Sequence, residues 1–101
     1  MGFISRRDAF VSKRDTLDQM QVEFEACLIL AKTRNKKWGD AWREYSVEAL
    51  VSHSRAKLQR ALNCMKQGYI GDAQDVIDSL RDSINYSNFA LIKCTEQLEG
   101  L

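Results

Sequence analysis

Apolar residues recur every three or four positions along most of this chain, the period of a helix with one buried face. Leu17, Met20, Phe24, Cys27, Leu28 and Ala31 form one stripe, which predicts a helix over about 16–33 with Thr16 as its N-cap. Val47, Leu50, Val51, Ser54, Leu58, Ala61, Leu62 and Met65 form a second, over about 46–67. Ser46 is placed to cap this helix, and Gly68 to end it in the left-handed conformation. Val76, Ile77, Leu80, Ile84, Leu91, Cys94 and Leu98 predict a third helix over about 72–99, after a Gly68–Gly71 turn. A shorter amphipathic piece, 3–14, carries Phe3, Ile4, Phe10 and Val11, and serves equally as packing or as a subunit contact. No proline interrupts these patterns.

The expected fold is therefore all-α: three main helices plus a short N-terminal helical segment, arranged as an antiparallel bundle. At ~1.5 Å per residue the third helix would be roughly 40 Å long. That exceeds what a domain of this size needs to cover its own core. The surplus apolar surface predicts a bundle completed by oligomerisation, as a dimer or higher.

Between the first two stripes lies residues 34–45, a polar stretch that holds both tryptophans, Trp38 and Trp42, around Gly39. A connector seldom carries large rings, so these two either pack or bind something.

Composition narrows the function classes. The 101 residues make one domain, with net charge +1 and no global field toward nucleic acid or membrane. No apolar run approaches the ~20 residues of a membrane span. Residues 1–20 contain no signal-like apolar core. The three cysteines, Cys27, Cys64 and Cys94, have neither metal nor redox spacing. They read as reduced core residues, which fits a cytoplasmic location. Arg34, Lys36, Lys37, Trp38, Trp42 and Arg43 would make a stacking and phosphate patch, but the charge balance and the absence of a known DNA-binding pattern argue against nucleic acid.

A second stripe on the third helix, Asp75, Asp78, Asp82, Asn85 and Phe89, shares one face. Stacked carboxylates repel, and a hard cation such as Mg²⁺ relieves this. The same stripe read as a solvated acidic face needs no ligand at all. Lys57 and Arg60 on the second helix face the aspartates if the two helices are antiparallel. They then form either interhelical salt bridges or a phosphate grip beside a metal. His53, the lone histidine, belongs with partly exposed or core-satisfied helical histidines. No nucleophilic triad or phosphate loop is visible.

The run Asn35-Lys-Lys-Trp-Gly-Asp-Ala-Trp-Arg43 resembles the K-N-x-D-Y-G-x-x-W signature of the nucleotide-modification-associated domain. That phage and bacterial family is related to the MazG-like all-α nucleotide pyrophosphohydrolases. Lys57-Leu-Gln-Arg60 is similar to its K-x-x-R helix, and the stretch from Asp78 to Ile92 to its D-x-x-x-D-x-x-N-Y-A-x-x-A-L-I helix. Lys37 and Trp38 replace the family's Asp and Tyr. Glu23 and Glu25 are spaced two apart and Ser79 precedes Asp82, so the E-x-x-E and E-x-x-D metal pairs of the MazG-like enzymes are missing.

The resemblance implies a phage-type nucleotide-binding protein, either a Mg²⁺-dependent phosphohydrolase with a degenerate metal site or a binder without turnover. It implies that Trp38 or Trp42 stacks on a base and that Lys57 and Arg60 hold phosphates. Asn85 and Tyr86 would complete the nucleotide site, with Asp75, Asp78 and Asp82 toward the metal. The alternative is a small non-enzymatic phage protein that sequesters a nucleotide signal or binds and inhibits a host protein. A third reading is a structural helical subunit with its aspartates paired to Lys57 and Arg60.

Overall fold

The computed structural model describes residues 15–68 and 73–100. The N-terminal segment, Asp72 and most of the Gly68–Gly71 turn lie outside these residues. Among the described residues there are three α-helices, α1 (Thr16–Trp38), α2 (Val47–Lys66) and α3 (Ala73–Glu99), with a 3-10 turn at Ala41–Glu44 and no strand. The all-α expectation holds. No described helix is long and apolar enough to cross a membrane.

Local chemistry sets the ends. The Asp15 carboxylate accepts from the Leu17 amide at 2.8 Å, so Asp15, not Thr16, caps α1. Ser46 caps α2 as expected, its hydroxyl accepting from the Ala49 amide at 3.1 Å. Gly68 follows the end of α2 with φ 72°, the left-handed stop that the sequence called for.

The largest departure is α1, which runs five residues past its expected end. Arg34, Asn35, Lys36 and Lys37 carry no apolar stripe, yet the straight-chain cations among them are good helix formers. Lys36 and Lys37 also lie in the last turn, where the helix dipole favours positive charge. Gly39 ends the helix with φ 62° and ψ −151°, a conformation open essentially to glycine alone.

Helices α2 and α3 form an antiparallel pair. Its register is fixed by a chain of contacts: His53 stacks on Tyr86, Ser54 meets Ser83, Lys57 pairs with Asp82, and Arg60 pairs with Asp75. The residues buried between them are mostly small. Leu50, Ser54 and Ala61 are buried on α2, and Val76, Ser79, Ser83 and Ala90 on α3. Small side chains let the two backbones approach closely. Ser54 is the hub: its Oγ donates to the Ser83 carbonyl at 2.9 Å and lies 2.8 Å from the Ser83 and Ser87 hydroxyls, which therefore donate to it.

The stripes expected to be buried are thus only partly so. Ile77, Leu80, Ile84, Leu91 and Leu98 on α3 stay exposed, as do Val51, Leu58, Leu62 and Met65 on α2. On α1 only Cys27 is buried, while Leu17, Met20, Phe24 and Leu28 are not. All three cysteines are free, but only Cys27 lies in the core as expected; Cys64 and Cys94 are half-buried.

Helix α1 packs on α3 through few but directional links. The Asn85 amide donates to the Cys27 carbonyl at 3.0 Å, and Arg81 pairs with Glu23 at 3.0 Å. The result is elongated, about 53 × 32 × 24 Å. Its radius of gyration of 16.4 Å exceeds the ~13 Å of a compact domain this long.

Candidate functional site

A cleft of about 630 Å³ opens between the C-terminal half of α1, the 39–45 connector and one flank of the α2–α3 pair. Six of the nine sequence-derived site residues line it: Trp38, Trp42, Lys57, Asp82, Asn85 and Tyr86. The other three, Arg60, Asp75 and Asp78, line a smaller cleft of about 90 Å³. The two clefts share Arg34, Lys57 and Asp82.

The connector is held in place by α3. Lys93 Nζ donates to the Arg43 carbonyl at 2.9 Å and to the Tyr45 carbonyl. Arg43 pairs with Glu96 at 3.2 Å. Trp42 then stacks on Phe89 with ring centroids 4.5 Å apart and planes 7° from parallel. The Arg43 guanidinium stands 4.5 Å from the Trp42 centroid. Phe89 and Arg43 thus take up the faces of Trp42, which serves the cleft as a wall. Trp38 differs: Lys37 lies 5.2 Å from its ring centre, and the residue remains 63% exposed. Of the two tryptophans, Trp38 is the one free to stack.

Polar residues converge on the cleft floor. Asp82, buried to 11% side-chain exposure, accepts from Arg34 at 3.2 Å and pairs with Lys57 at 3.4 Å. Arg34 was read in the sequence only as part of a basic cluster. Without an apolar stripe, residues 34–45 read as a connector, whereas helix α1 continues to Trp38 and carries Arg34 to Asp82. Three cations, Lys32, Arg34 and Lys57, and two carboxylates, Asp40 and Asp82, line the larger cleft.

Aromatic packing shapes the remaining wall. His53 lies between Tyr45 and Tyr86, at centroid distances of 4.9 and 5.1 Å. It is half-buried and satisfied by ring contacts, as expected of a lone helical histidine. Burial, then the negative charge of Asp82, pushes the Tyr86 phenol above its ordinary pKa of 10.0. Burial likewise raises the Cys27 thiol above 9.0, against the lowering effect of Arg81.

The acidic stripe does not act as a unit. Asp82 is held by two cations, Asp75 pairs with Arg60 at 3.8 Å, and Asp78 accepts from Gln74 at 2.9 Å. No group of three or more His, Cys, Asp or Glu side chains that could hold a metal ion comes together among the described residues. The interhelical salt-bridge arrangement raised by the sequence is present, with Arg34 added to it.

No family model matches the chain, and no characterised protein or solved structure matches it either.

Proposed function

We propose that this chain is a nucleotide-binding helical module of MazG-like type, of the kind phages encode, and that it binds its ligand without turning it over. The observation that carries this reading is the make-up of the larger cleft. An open indole, Trp38, shares one cavity with two cations, Arg34 and Lys57, that have only Asp82 between them. A volume of about 630 Å³ falls within the ~300–1,000 Å³ of small-molecule sites. The base stacks on Trp38, and the phosphates replace part of Asp82's hold on Arg34 and Lys57. Asn85 and Tyr86 offer an amide and a hydroxyl to the sugar or base edge.

Binding in this arrangement needs no Mg²⁺, because the cations already present meet the phosphate charge. The test is a thermal-shift and calorimetry screen of nucleoside mono-, di- and triphosphates and cyclic nucleotides, with and without Mg²⁺. A ligand at 100 times its dissociation constant should add about 2.7 kcal/mol, which is several degrees of Tm for a small domain. The shift should persist without Mg²⁺ and disappear in Trp38→Ala. No shift with any nucleotide would overturn the proposal, and a shift strictly dependent on Mg²⁺ would return Asp78 and Asp82 to a metal role.

A second reading, capture of a host protein, draws on the exposed face of α1, where Leu17, Met20 and Phe24 are each more than half exposed. Under it, Phe24→Ser would abolish complex formation while leaving nucleotide shifts absent throughout.

A further inference from the structure

Nine large apolar side chains on α2 and α3 are between 37% and 70% exposed: Val51, Leu58, Leu62 and Met65, with Ile77, Leu80, Ile84, Leu91 and Leu98. Their placement is ordered. On α3 they sit at heptad spacing, with Ser87 and Cys94 filling the intervening positions, so no charged residue interrupts the seam over 77–98.

At about 100° per residue, these α3 positions fall within roughly 60° of arc, to one side of the Ser83 contact line. Asp75, Asp82, Tyr86 and Phe89 fall to the other side. On α2 the same wheel sets Val51, Leu58, Leu62 and Met65 to one side of Ser54, and Lys57, His53 and Arg60 to the other. In an antiparallel pair, equal senses of rotation from the contact line lead to the same flank. The contacts agree, since Lys57–Asp82, Arg60–Asp75 and His53–Tyr86 all close on the cleft flank. Both apolar rows therefore share the flank facing away from the cleft.

We propose that this flank is the interface with a second copy of the chain, packed about a two-fold axis with the two clefts facing outward. Two magnitudes select that occupant. The nine exposed side chains present roughly 800 Å² of apolar surface, about what each partner of a standard interface contributes and more than a typical monomer leaves bare. The α3 row from Ile77 to Leu98 is also about 32 Å long at ~1.5 Å per residue. Residues 3–14, if they form the amphipathic helix their pattern predicts, would span only ~18 Å, little more than half of that row. An uncharged, heptad-spaced row is self-complementary, as a two-fold interface requires. This inference does not rest on the nucleotide reading.

The experiment is sedimentation equilibrium of the full chain, alone and with Ile84→Glu/Leu91→Glu, with helicity followed by circular dichroism. The unmodified chain should sediment at twice 11.6 kDa, and the double variant should weaken dimerisation roughly a hundredfold while staying helical. Leu17→Glu on α1, outside the seam, should leave the dimer intact. The Tm of the unmodified chain should also rise with protein concentration, a readout that requires no variant to fold. A monomer with concentration-independent Tm up to about 100 µM overturns the proposal. So does a dimer that the helical double variant preserves.

Discussion

Asp82 carries one negative charge between Arg34 and Lys57, at 11% side-chain exposure. A counter-charge and a metal ligand respond oppositely to its loss. Asp82→Asn keeps the shape and removes the charge that competes with an anionic ligand. Stability should fall by about 1–2 kcal/mol, a modest amount because the Arg34 side chain is half-exposed and screened. Nucleotide affinity should rise several-fold, measured by calorimetry without Mg²⁺. Loss of binding would make Asp82 a ligand-holding group instead. Tyr86 and Cys27 give the pH dependence. Both groups have folded pKa values raised above 10.0 and 9.0, so the folded state holds its protons when the unfolded chain has begun to lose them. Stability from these groups is complete below the ordinary Cys value of 9.0 and is lost as pH rises past 9.0 for Cys27 and past 10.0 for Tyr86. Urea denaturation across that range should show the decline. Cys27→Ala should flatten its lower part and Tyr86→Phe its upper part; an unchanged slope in both variants would remove them as the cause.

At the scale of the element, glycine chemistry sets the C-terminal ends of α1 and α2. Gly39 and Gly68 both have positive φ, and a Cβ at either would meet nothing within 4 Å. Any cost of alanine is therefore backbone strain, not collision. Gly39 lies in the region essentially reserved for glycine, so Gly39→Ala should cost about 2–3 kcal/mol. Gly68→Ala, in the more accessible left-handed region, should cost about 1 kcal/mol. Equal denaturation midpoints for the two variants would contradict this ranking. The same elements show what the sequence discloses. Ser46 and Gly68 announce the ends of α2 because capping is local chemistry, and the bounds of α2 and α3 follow within a residue. Asp15 and Thr16 are both competent caps, so which one acts depends on where the first turn closes. The polar run from Arg34 to Lys37 has helix propensity without periodicity, and a reading based on apolar stripes ends the helix too soon. With it went the contact of Arg34 with Asp82, which depends on α1 reaching over α3. The buried face of α3 differs from its apolar stripe for a different reason. Hydrophobicity singles out Ile77, Leu80 and Ile84, but the α2–α3 contact is made by Ser79, Ser83 and Ala90. The hint lay in small residues at helical spacing, Ser54 and Ala61 opposite Ser79, Ser83 and Ala90, a pattern that the strength of an apolar stripe conceals.

At the scale of the molecule, the described residues form a tightly registered α2–α3 pair and a loosely attached α1. The pair is locked by the Ser54 hub and by interhelical ion pairs, whereas α1 is tied to it by Asn85, Arg81 and Asp82. Regions with few buried apolar contacts open at lower free energy than the global transition. Amide exchange should therefore be faster along α1 than along the centre of α3, even where both are helical. Trp38 and Arg34 of α1 line the cleft together with Lys57 and Asn85 of the pair, so on the nucleotide proposal a bound ligand should slow exchange in the C-terminal half of α1 most. Asn85→Ala removes the link to the Cys27 carbonyl and should speed exchange around Cys27 while leaving the Ser54–Ser83 region unchanged. Hydrogen exchange read by mass spectrometry checks all three effects on one preparation. Uniform exchange across α1 and α3, with or without Asn85, would mean that the three helices open as one unit. The cleft would then be a fixed groove.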